Sequence, residues 1–239
     1  NFITDLSILN RLGLSIIVVH GGGPRIKREL DKSNIQSKFI RGLRVTDEKI
    51  INIVESVLID FNNDIVTSLK EKGSEAISIH TKNNNIIEVI PETEELGFVG
   101  VPNKINNEIL LSIIQQNKIP VISPLGLDKN NHPYNINGDT AAMAIAKSLK
   151  SRRLLLMTNV DGVLNKEKKL IEEISSSEIL KFVKDETITE GMIPKINTCL
   201  DAVNNGVTAV GIIDGRKKHS ILFEIFSDKG SGTLIRKWT

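Results

Sequence analysis

Ile16-Ile17-Val18-Val19-His20-Gly21-Gly22-Gly23-Pro24-Arg25 is the stretch from which the fold of this chain can be read. Branched apolar residues run into a histidine, a glycine run and a proline, and Ile26 and Leu30 then recur at helical spacing. That order describes a buried strand, a turn of bare backbone and a helix with proline in its first turn. Glycine N–H groups can approach an anion closely at the positive end of a helix, because no side chain intervenes. A plain strand-to-helix turn uses the same residue types, but a glycine run directly after an apolar strand favours an anion site. The spacing fits neither the P-loop nor the dinucleotide fingerprint, so the ligand has to be read from other residues.

With 239 residues, the chain is long enough for one large domain or two lobes. Its hydrophobic fraction of 40%, charged fraction of 25% and net charge of +2 are ordinary for a globular protein and point to neither nucleic acid nor a membrane as partner. The single cysteine, Cys199, excludes an internal disulfide and suits a reducing compartment. No apolar run approaches the ~20 residues that span a bilayer, and the reading expects no secretion signal.

Outward from the glycine turn, strands and helices alternate. A helix over Asp5–Leu12 is closed by Gly13. Thr46 or Asp47 caps a long helix whose apolar face is Ile50, Val54, Val57, Leu58, Phe61, Ile65 and Leu69. Ala76–Ile79 and Ile86–Ile90 read as two strands of a hairpin, Gly97–Val101 and Pro120–Leu125 as further strands, and Thr140–Leu149 as an alanine-rich helix. Leu154–Met157, Ala209–Ile213 and Thr233–Ile235 are strands, and Ser175 with Glu178 forms a capping box. A second helix begins near Gly191-Met192-Ile193-Pro194-Lys195 and another covers His219–Phe226. The alternation predicts an α/β protein, a three-layer αβα sandwich around a mainly parallel sheet. The expected lobes are residues 1–150 and 151–239.

Several residues have the chemistry of a site. Arg44, in Gly42-Leu43-Arg44-Val45-Thr46, reads as a loop arginine with a forked donor suited to a carboxylate, or as a surface arginine. Asn135, Asn137 and Asp139 alternate, so an extended chain points them to one side; Asn-Gly-Asp is also a common turn. Lys195 sits in a first helical turn, where the dipole disfavours a cation unless an anionic ligand or solvent meets it. Thr158-Asn159-Val160-Asp161-Gly162 is a nucleotide-contacting loop or an ordinary strand-to-helix turn. His20 reads as a hydrogen-bonding residue of the glycine turn, His80 and His132 as surface residues, and Cys199 as core. No histidine has a metal-ligand partner at useful spacing.

Taken together, the motifs His20–Pro24, Gly42–Thr46, Asn135–Asp139 and Gly191–Lys195 occur in an order that resembles the acetylglutamate kinases of the amino-acid kinase family. The Gly-Leu-Arg-Val-Thr stretch separates these from relatives acting on uridylate, carbamate or aspartate. The resemblance implies transfer of the γ-phosphoryl of ATP to the side-chain carboxylate of N-acetyl-L-glutamate, in arginine biosynthesis. It implies a substrate and dimerisation lobe over 1–150 and a nucleotide lobe over 151–239. Arg44, Asn135 and Asn137 would hold the substrate, and Gly21, Gly22 and Gly23 would offer N–H groups to the carboxylate and the moving phosphoryl. Thr158, Asn159, Gly162 and Lys195 would contact the nucleotide, Lys195 balancing its charge, and Asp139 would orient the catalytic lysines. Mg²⁺ would be held chiefly by phosphate oxygens, with no metal ligand from the protein.

The C-terminal run from His219 through Glu224 to Gly230 resembles that of arginine-inhibited members, so His219, Glu224 and Gly230 are expected to bind arginine as effector. The resemblance further implies a homo-oligomer, dimer to hexamer, admits a PII-type nitrogen regulator as partner, and fits a cytoplasmic or plastid-stroma setting. Three departures stand out. The family's opening Lys-x-Gly-Gly strand is expected upstream of Asn1, so the chain reads as N-terminally shortened. Asn159 stands where many members carry Asp, and Ser78-Ile79-His80-Thr81 replaces a glycine-containing stretch. Rival readings are a non-catalytic arginine-binding or assembly subunit, and a kinase of the same fold with another acidic substrate.

Overall fold

The structure, a computed structural model, describes residues 1–185, 188 and 192–237. It divides into two compact units, Ser7–Ala141 and Asn1–Leu6 with Ala142–Thr239, and the division falls within the helices α1 (Phe2–Arg11) and α5 (Gly138–Ser148).

The Ser7–Ala141 unit is built around β7 (Ile119–Ile122), which pairs in parallel with β1 (Val18–Val19) on one side and β4 (Ala76–Ile79) on the other. All of β7 is buried, which is why it reads as an unbroken apolar run rather than an alternating one. The helices α2 (Gly23–Lys32) and α3 (Glu48–Glu71) share a core of Ile26, Leu30, Ile50, Val54 and Leu58 with Leu125. Each such Leu or Ile stabilises by about 1.5–3 kcal/mol relative to exposure. Asp47 caps α3 by accepting from the Ile50 N–H at 2.8 Å, as its sequence position predicts. The buried face of α3 also carries two polar residues, Glu55 and Asn62.

A second sheet in this unit orders β6 (Gly100–Ile105), β5 (Ile87–Pro91), β8 (Leu125–Leu127) and β9 (Pro133–Asn135), with α4 (Asn107–Gln115) between β6 and β7. Two expectations change here. Ala76–Ile79 and the following strand form no hairpin: β4 pairs with β7, and β5 pairs with β6 and β8 in the other sheet. The Pro120–Leu125 run splits into β7 and β8, which belong to different sheets and flank Ser123 and Pro124.

The other unit orders its strands β10 (Arg153–Thr158), β12 (Ala209–Asp214), β13 (Gly232–Arg236) and β11 (Glu173–Ser175). β10 and β12 are parallel, whereas β13 runs antiparallel to β12. Against them lie α6 (Ser176–Lys184), α7 (Ile193–Asn204) and α8 (Ser220–Phe226). Leu156, Ile174, Ile196, Cys199 and Ile212 are core, so the cysteine is a core residue as expected. The capping box forms: Ser175 N–H donates to Glu178 Oε2 at 2.9 Å and Glu178 N–H to Ser175 Oγ at 3.3 Å.

Candidate active site

The ladder between β1 and β7 runs on to His20, whose N–H donates to the Ile122 carbonyl at 3.3 Å. The chain then turns through Gly21 and Gly22 and enters α2 at Gly23, with Pro24 in the first turn and Gly22 as the cap. Leu58 of α3 lies directly under Gly22, where a Cβ would collide with its side chain. Gly138 lies beside the turn, and a Cβ there would stand 3.6 Å from the His20 carbonyl oxygen and 3.8 Å from Gly21 Cα. The Asn135–Asp139 motif thus meets the glycine turn at Gly138.

Buried polar groups fix the turn from below. His20 Nδ1 lies 2.7 Å from the Gly21 carbonyl oxygen, and Nε2 lies 3.3 Å from Ser123 Oγ and 3.2 Å from Asn62 Nδ2. Asn62, 0% exposed, donates to the Val121 carbonyl at 2.9 Å and accepts from Ser78 Oγ at 2.6 Å. Burial pushes the His20 pKa below its ordinary value, with the Arg25 charge adding to the effect and the Gly21 hydrogen bond opposing it.

Arg44 lies on a two-residue hairpin between β2 (Phe39–Ile40) and β3 (Leu43–Arg44), not in the loop its sequence suggests. The turn places Arg41 and Gly42 at φ of 50° and 80°, the left-handed pair that a tight hairpin needs. The Arg44 side chain is only 8% exposed, donates to Ser37 Oγ and stacks 4.7 Å from the Phe39 ring centre. It makes no salt bridge among the described residues, and burial lowers its pKa against the opposing field of Asp31.

Hydrogen bonds lace this hairpin to the other motifs. Phe98 N–H donates to the Thr46 carbonyl at 2.7 Å, and Asn135 N–H donates to the Phe98 carbonyl at 2.9 Å. Gly97, at φ 67°, packs so tightly on the Thr46 carbonyl that no side chain fits there. Tyr134 and Ile136 point into the core, leaving Asn135 half-buried and Asn137 exposed on the opposite side. Asn137 Oδ1 caps α5 through the Thr140 N–H at 3.1 Å. Asp139 departs from the expected alternation because α5 has already begun at Gly138. Three of the four motifs therefore lie in the Ser7–Ala141 unit and are joined by backbone contacts: one carries a forked cation, one an amide pair and one a run of bare N–H groups. Such a set can hold an anionic substrate and meet charge developing on a transferred group.

In the other unit, the carboxyl ends of the parallel strands β10 and β12 lie side by side, with Thr158 opposite Asp214. Ligands of open α/β sheets bind at such ends. Gly215 N–H donates to the Thr158 carbonyl at 2.9 Å, and Lys217 pairs with Asp161 at 2.8 Å. Arg216 embraces Asp214 and holds its carboxyl pKa at about 2, below an ordinary 3.8. Asn159 and Val160 are exposed, and Gly162 is buried against Thr233. Lys195 occupies the first turn of α7, half-buried, while Gly191 lies outside the described residues. His219 Nδ1 pairs with the buried Asp5 of α1 at 2.7 Å. The buried Glu224 accepts from Arg153 Nη1 at 3.1 Å and from Ser231 N–H at 2.9 Å, next to Gly230.

The model of the amino acid kinase family matches residues 1–214. The chain belongs to the amino acid kinase family. Among curated relatives, it is 57% identical to the acetylglutamate kinase of Pelagibacter ubique, over 99% of this chain and 82% of that protein. It is 46% identical to the acetylglutamate kinase of Clostridioides difficile, over 98% of this chain and 83% of that protein. Among solved structures, the smu.665 protein of Streptococcus mutans superposes with a TM-score of 0.82 at 28% identity, covering 98% of this chain and 91% of that one. Carbamate kinase from Giardia lamblia bound to AMP-PNP shares the fold, with a TM-score of 0.72 at 17% identity over 99% and 88% of the two chains.

For this member of the amino acid kinase family, sequence reasoning missed several polar residues. Asn62 and Ser123 stand inside apolar runs, where nothing in the periodicity separates a functional polar residue from an interruption. His80 is buried rather than a surface residue, and burial lowers its pKa while the neighbouring Glu55 opposes the shift. Glu55 is itself clamped by Thr81 Oγ1 at 2.5 Å and Lys82 at 3.1 Å, which draws that segment inward. His132 is exposed as expected. No helix among the described residues is long and apolar enough to cross a membrane.

Proposed function

We infer that this chain transfers the γ-phosphoryl group of ATP to the side-chain carboxylate of N-acetyl-L-glutamate, a step of arginine biosynthesis. The observation that carries the reading is Arg44: a buried guanidinium with no salt bridge among the described residues, laced through Thr46 and Phe98 to Asn135, whose motif meets the glycine turn at Gly138. A buried cation without an anionic partner is costly until a ligand supplies one, and an acidic substrate does so. The high identity to acetylglutamate kinases points to the same substrate.

Chemically, a carboxylate oxygen attacks the γ-phosphorus, the bond to the β–γ bridging oxygen breaks, and that oxygen leaves with the electron pair on ADP. The products are an acyl phosphate and ADP. The nucleophile is already an anion, so no general base is required, and catalysis consists of alignment and charge neutralisation. Arg44 and Asn135 hold the substrate, joined by the Asn137 amide NH₂, whose Oδ1 is engaged in the α5 cap. The N–H groups of Gly21, Gly22 and Gly23 receive the carboxylate and the moving phosphoryl. Thr158, Asn159 and Gly162 contact the nucleotide, Lys195 balances its charge and Asp139 orients the catalytic lysines. The 1–150 part is then the substrate and dimerisation lobe and 151–239 the nucleotide lobe. Mg²⁺ enters with the nucleotide, and phosphate oxygens supply most of its ligands.

The same reading takes arginine as a feedback effector at His219, Glu224 and Gly230. Glu224 already holds one guanidinium, that of Arg153, which an incoming arginine would displace. A homo-oligomer, a PII-type partner and a cytoplasmic or plastid setting follow the same resemblance. The test is turnover with ATP across N-acetyl-L-glutamate, glutamate, aspartate and carbamate. Turnover confined to N-acetyl-L-glutamate is expected; a preference for another acid identifies a different kinase of this fold, and binding of arginine without turnover identifies a non-catalytic subunit. Glu224→Ala should raise the arginine concentration for half-inhibition while sparing kcat, and full inhibition of that variant rejects the effector site.

A further inference from the structure

We propose that His20 is a positioning residue: its imidazole, held in a single tautomer by Asn62, clamps the Gly21 carbonyl and thereby aims the Gly22 N–H at the reacting phosphoryl group. The relay runs between two backbone carbonyls, those of Val121 and Gly21. Val121 presents a carbonyl 2.9 Å from the Asn62 side chain, and a carbonyl only accepts, so the atom facing it is the amide nitrogen Nδ2. The Asn62 Oδ1 is then the atom that meets Ser78 Oγ at 2.6 Å, which that hydroxyl serves as donor. The second hydrogen of Nδ2 points at His20 Nε2, 3.2 Å away, which must therefore be the unprotonated ring nitrogen. The proton of a neutral imidazole then resides on Nδ1, 2.7 Å from the Gly21 carbonyl, which can only accept it. Both ends of the relay demand the same tautomer; Ser123 Oγ stands 3.3 Å from Nε2 and 3.3 Å from the Leu58 carbonyl, and in this tautomer its single proton turns to Nε2.

The consequence lies in one peptide plane. The Gly21 carbonyl and the Gly22 N–H belong to the same planar, trans amide and point in opposite directions. Holding the carbonyl inward against His20 turns the N–H outward. Glycine backbone is otherwise the freest in the chain, so a run of glycines needs such a clamp if its donors are to be set before the substrate arrives. Leu58, packed beneath Gly22, blocks the alternative of replacing glycine by a stiffer residue.

The role of the Gly22 N–H rests on the phosphoryl-transfer reading; the clamp itself does not. The test uses two amide substitutions. In His20→Asn the side-chain nitrogen stands near the position of Nδ1 and can still donate to Gly21. In His20→Gln the amide stands near the position of Nε2, reaching Asn62 and Ser123 but not the carbonyl. We expect His20→Gln to lower kcat on the order of 10²-fold with both KM values within about threefold of wild type, and His20→Asn to retain most of kcat. Equal losses in the two variants, or a larger loss in His20→Asn, overturn the proposal. NMR of the wild-type chain with isotope-labelled histidine reads the clamp without turnover. An Nδ1–H pattern for His20 is expected; an Nε2–H pattern overturns the proposal whatever the kinetics. Wild-type protein that shows the Nδ1–H pattern but does not phosphorylate N-acetyl-L-glutamate would reject the substrate reading and leave the clamp standing.

Discussion

The two units prepare their polar groups in opposite ways. In Ser7–Ala141, the groups around the glycine turn are buried and mostly neutral: His20, Asn62, Ser123 and Thr46 each meet a fixed backbone or side-chain partner, while Arg44 and Glu55 carry charge inward. At the ends of β10 and β12, by contrast, the groups are charged: Lys217 and Asp161 pair at the surface, their side chains 48% and 51% exposed, and the exposed Arg216 covers the buried Asp214. Buried hydrogen bonds fix direction to within a narrow cone and cannot be screened. Exposed ion pairs hold weakly and yield to salt. The first arrangement suits donors that must be aligned before a bond forms, the second a surface that closes around a charged ligand.

The comparison can be broken most directly at the turn. Gly22→Ala pushes a methyl group into Leu58, and the resulting shift of the turn should lower kcat on the order of 10²-fold in a coupled ADP-release assay, with an overpacking cost of about 1–3 kcal/mol in stability. An enzyme of nearly wild-type kcat would mean that the turn is not preset. Asn62→Ala strands the Val121 carbonyl in the core and removes the amide donor to His20, and urea unfolding should report a loss of about 1–3 kcal/mol.

At the other unit, the Arg216 guanidinium holds the Asp214 pKa at about 2 against an ordinary 3.8. A carboxyl whose folded pKa is depressed stabilises the folded chain above its unfolded pKa and loses that contribution as pH falls through the folded value. The stability gap between wild type and Asp214→Asn should therefore be flat near neutral pH and close between about pH 4 and pH 2. A gap that widens on acidification contradicts the pairing. The smallest effect belongs to Lys217→Ala, which removes an exposed pair: no more than about 1 kcal/mol of stability, diminishing in high salt.

How much of this was legible in the sequence follows the same division. Local rules were readable where partners are close along the chain: the Asp47 cap of α3, the Ser175–Glu178 box and the proline starts of α2 and α7 all formed where expected. Pairing was not. Ala76–Ile79 and the strand after it look like a hairpin across an asparagine turn, but β4 found its partner in β7, which no local signal announces. β11 was missed because Glu173-Ile174-Ser175 carries one apolar residue between two polar ones. The motif residues Arg44, Asn135 and Gly22 were legible as chemistry. Their mutual placement depends on Thr46, Phe98 and Gly138, whose roles are backbone contacts invisible to composition. Asn62 was the least legible, since a buried amide within an apolar helix face looks like a break in the pattern until its partners are seen.

The central claim is that the buried Arg44 awaits the carboxylate of the acidic substrate. Steady-state kinetics of Arg44→Ala with each substrate varied in turn tests it most directly. A guanidinium–carboxylate contact contributes about 1.5–3 kcal/mol, so the KM for N-acetyl-L-glutamate should rise on the order of 10- to 100-fold while the KM for ATP stays within about threefold. Equal increases in both KM values, or an increase confined to ATP, would contradict the account.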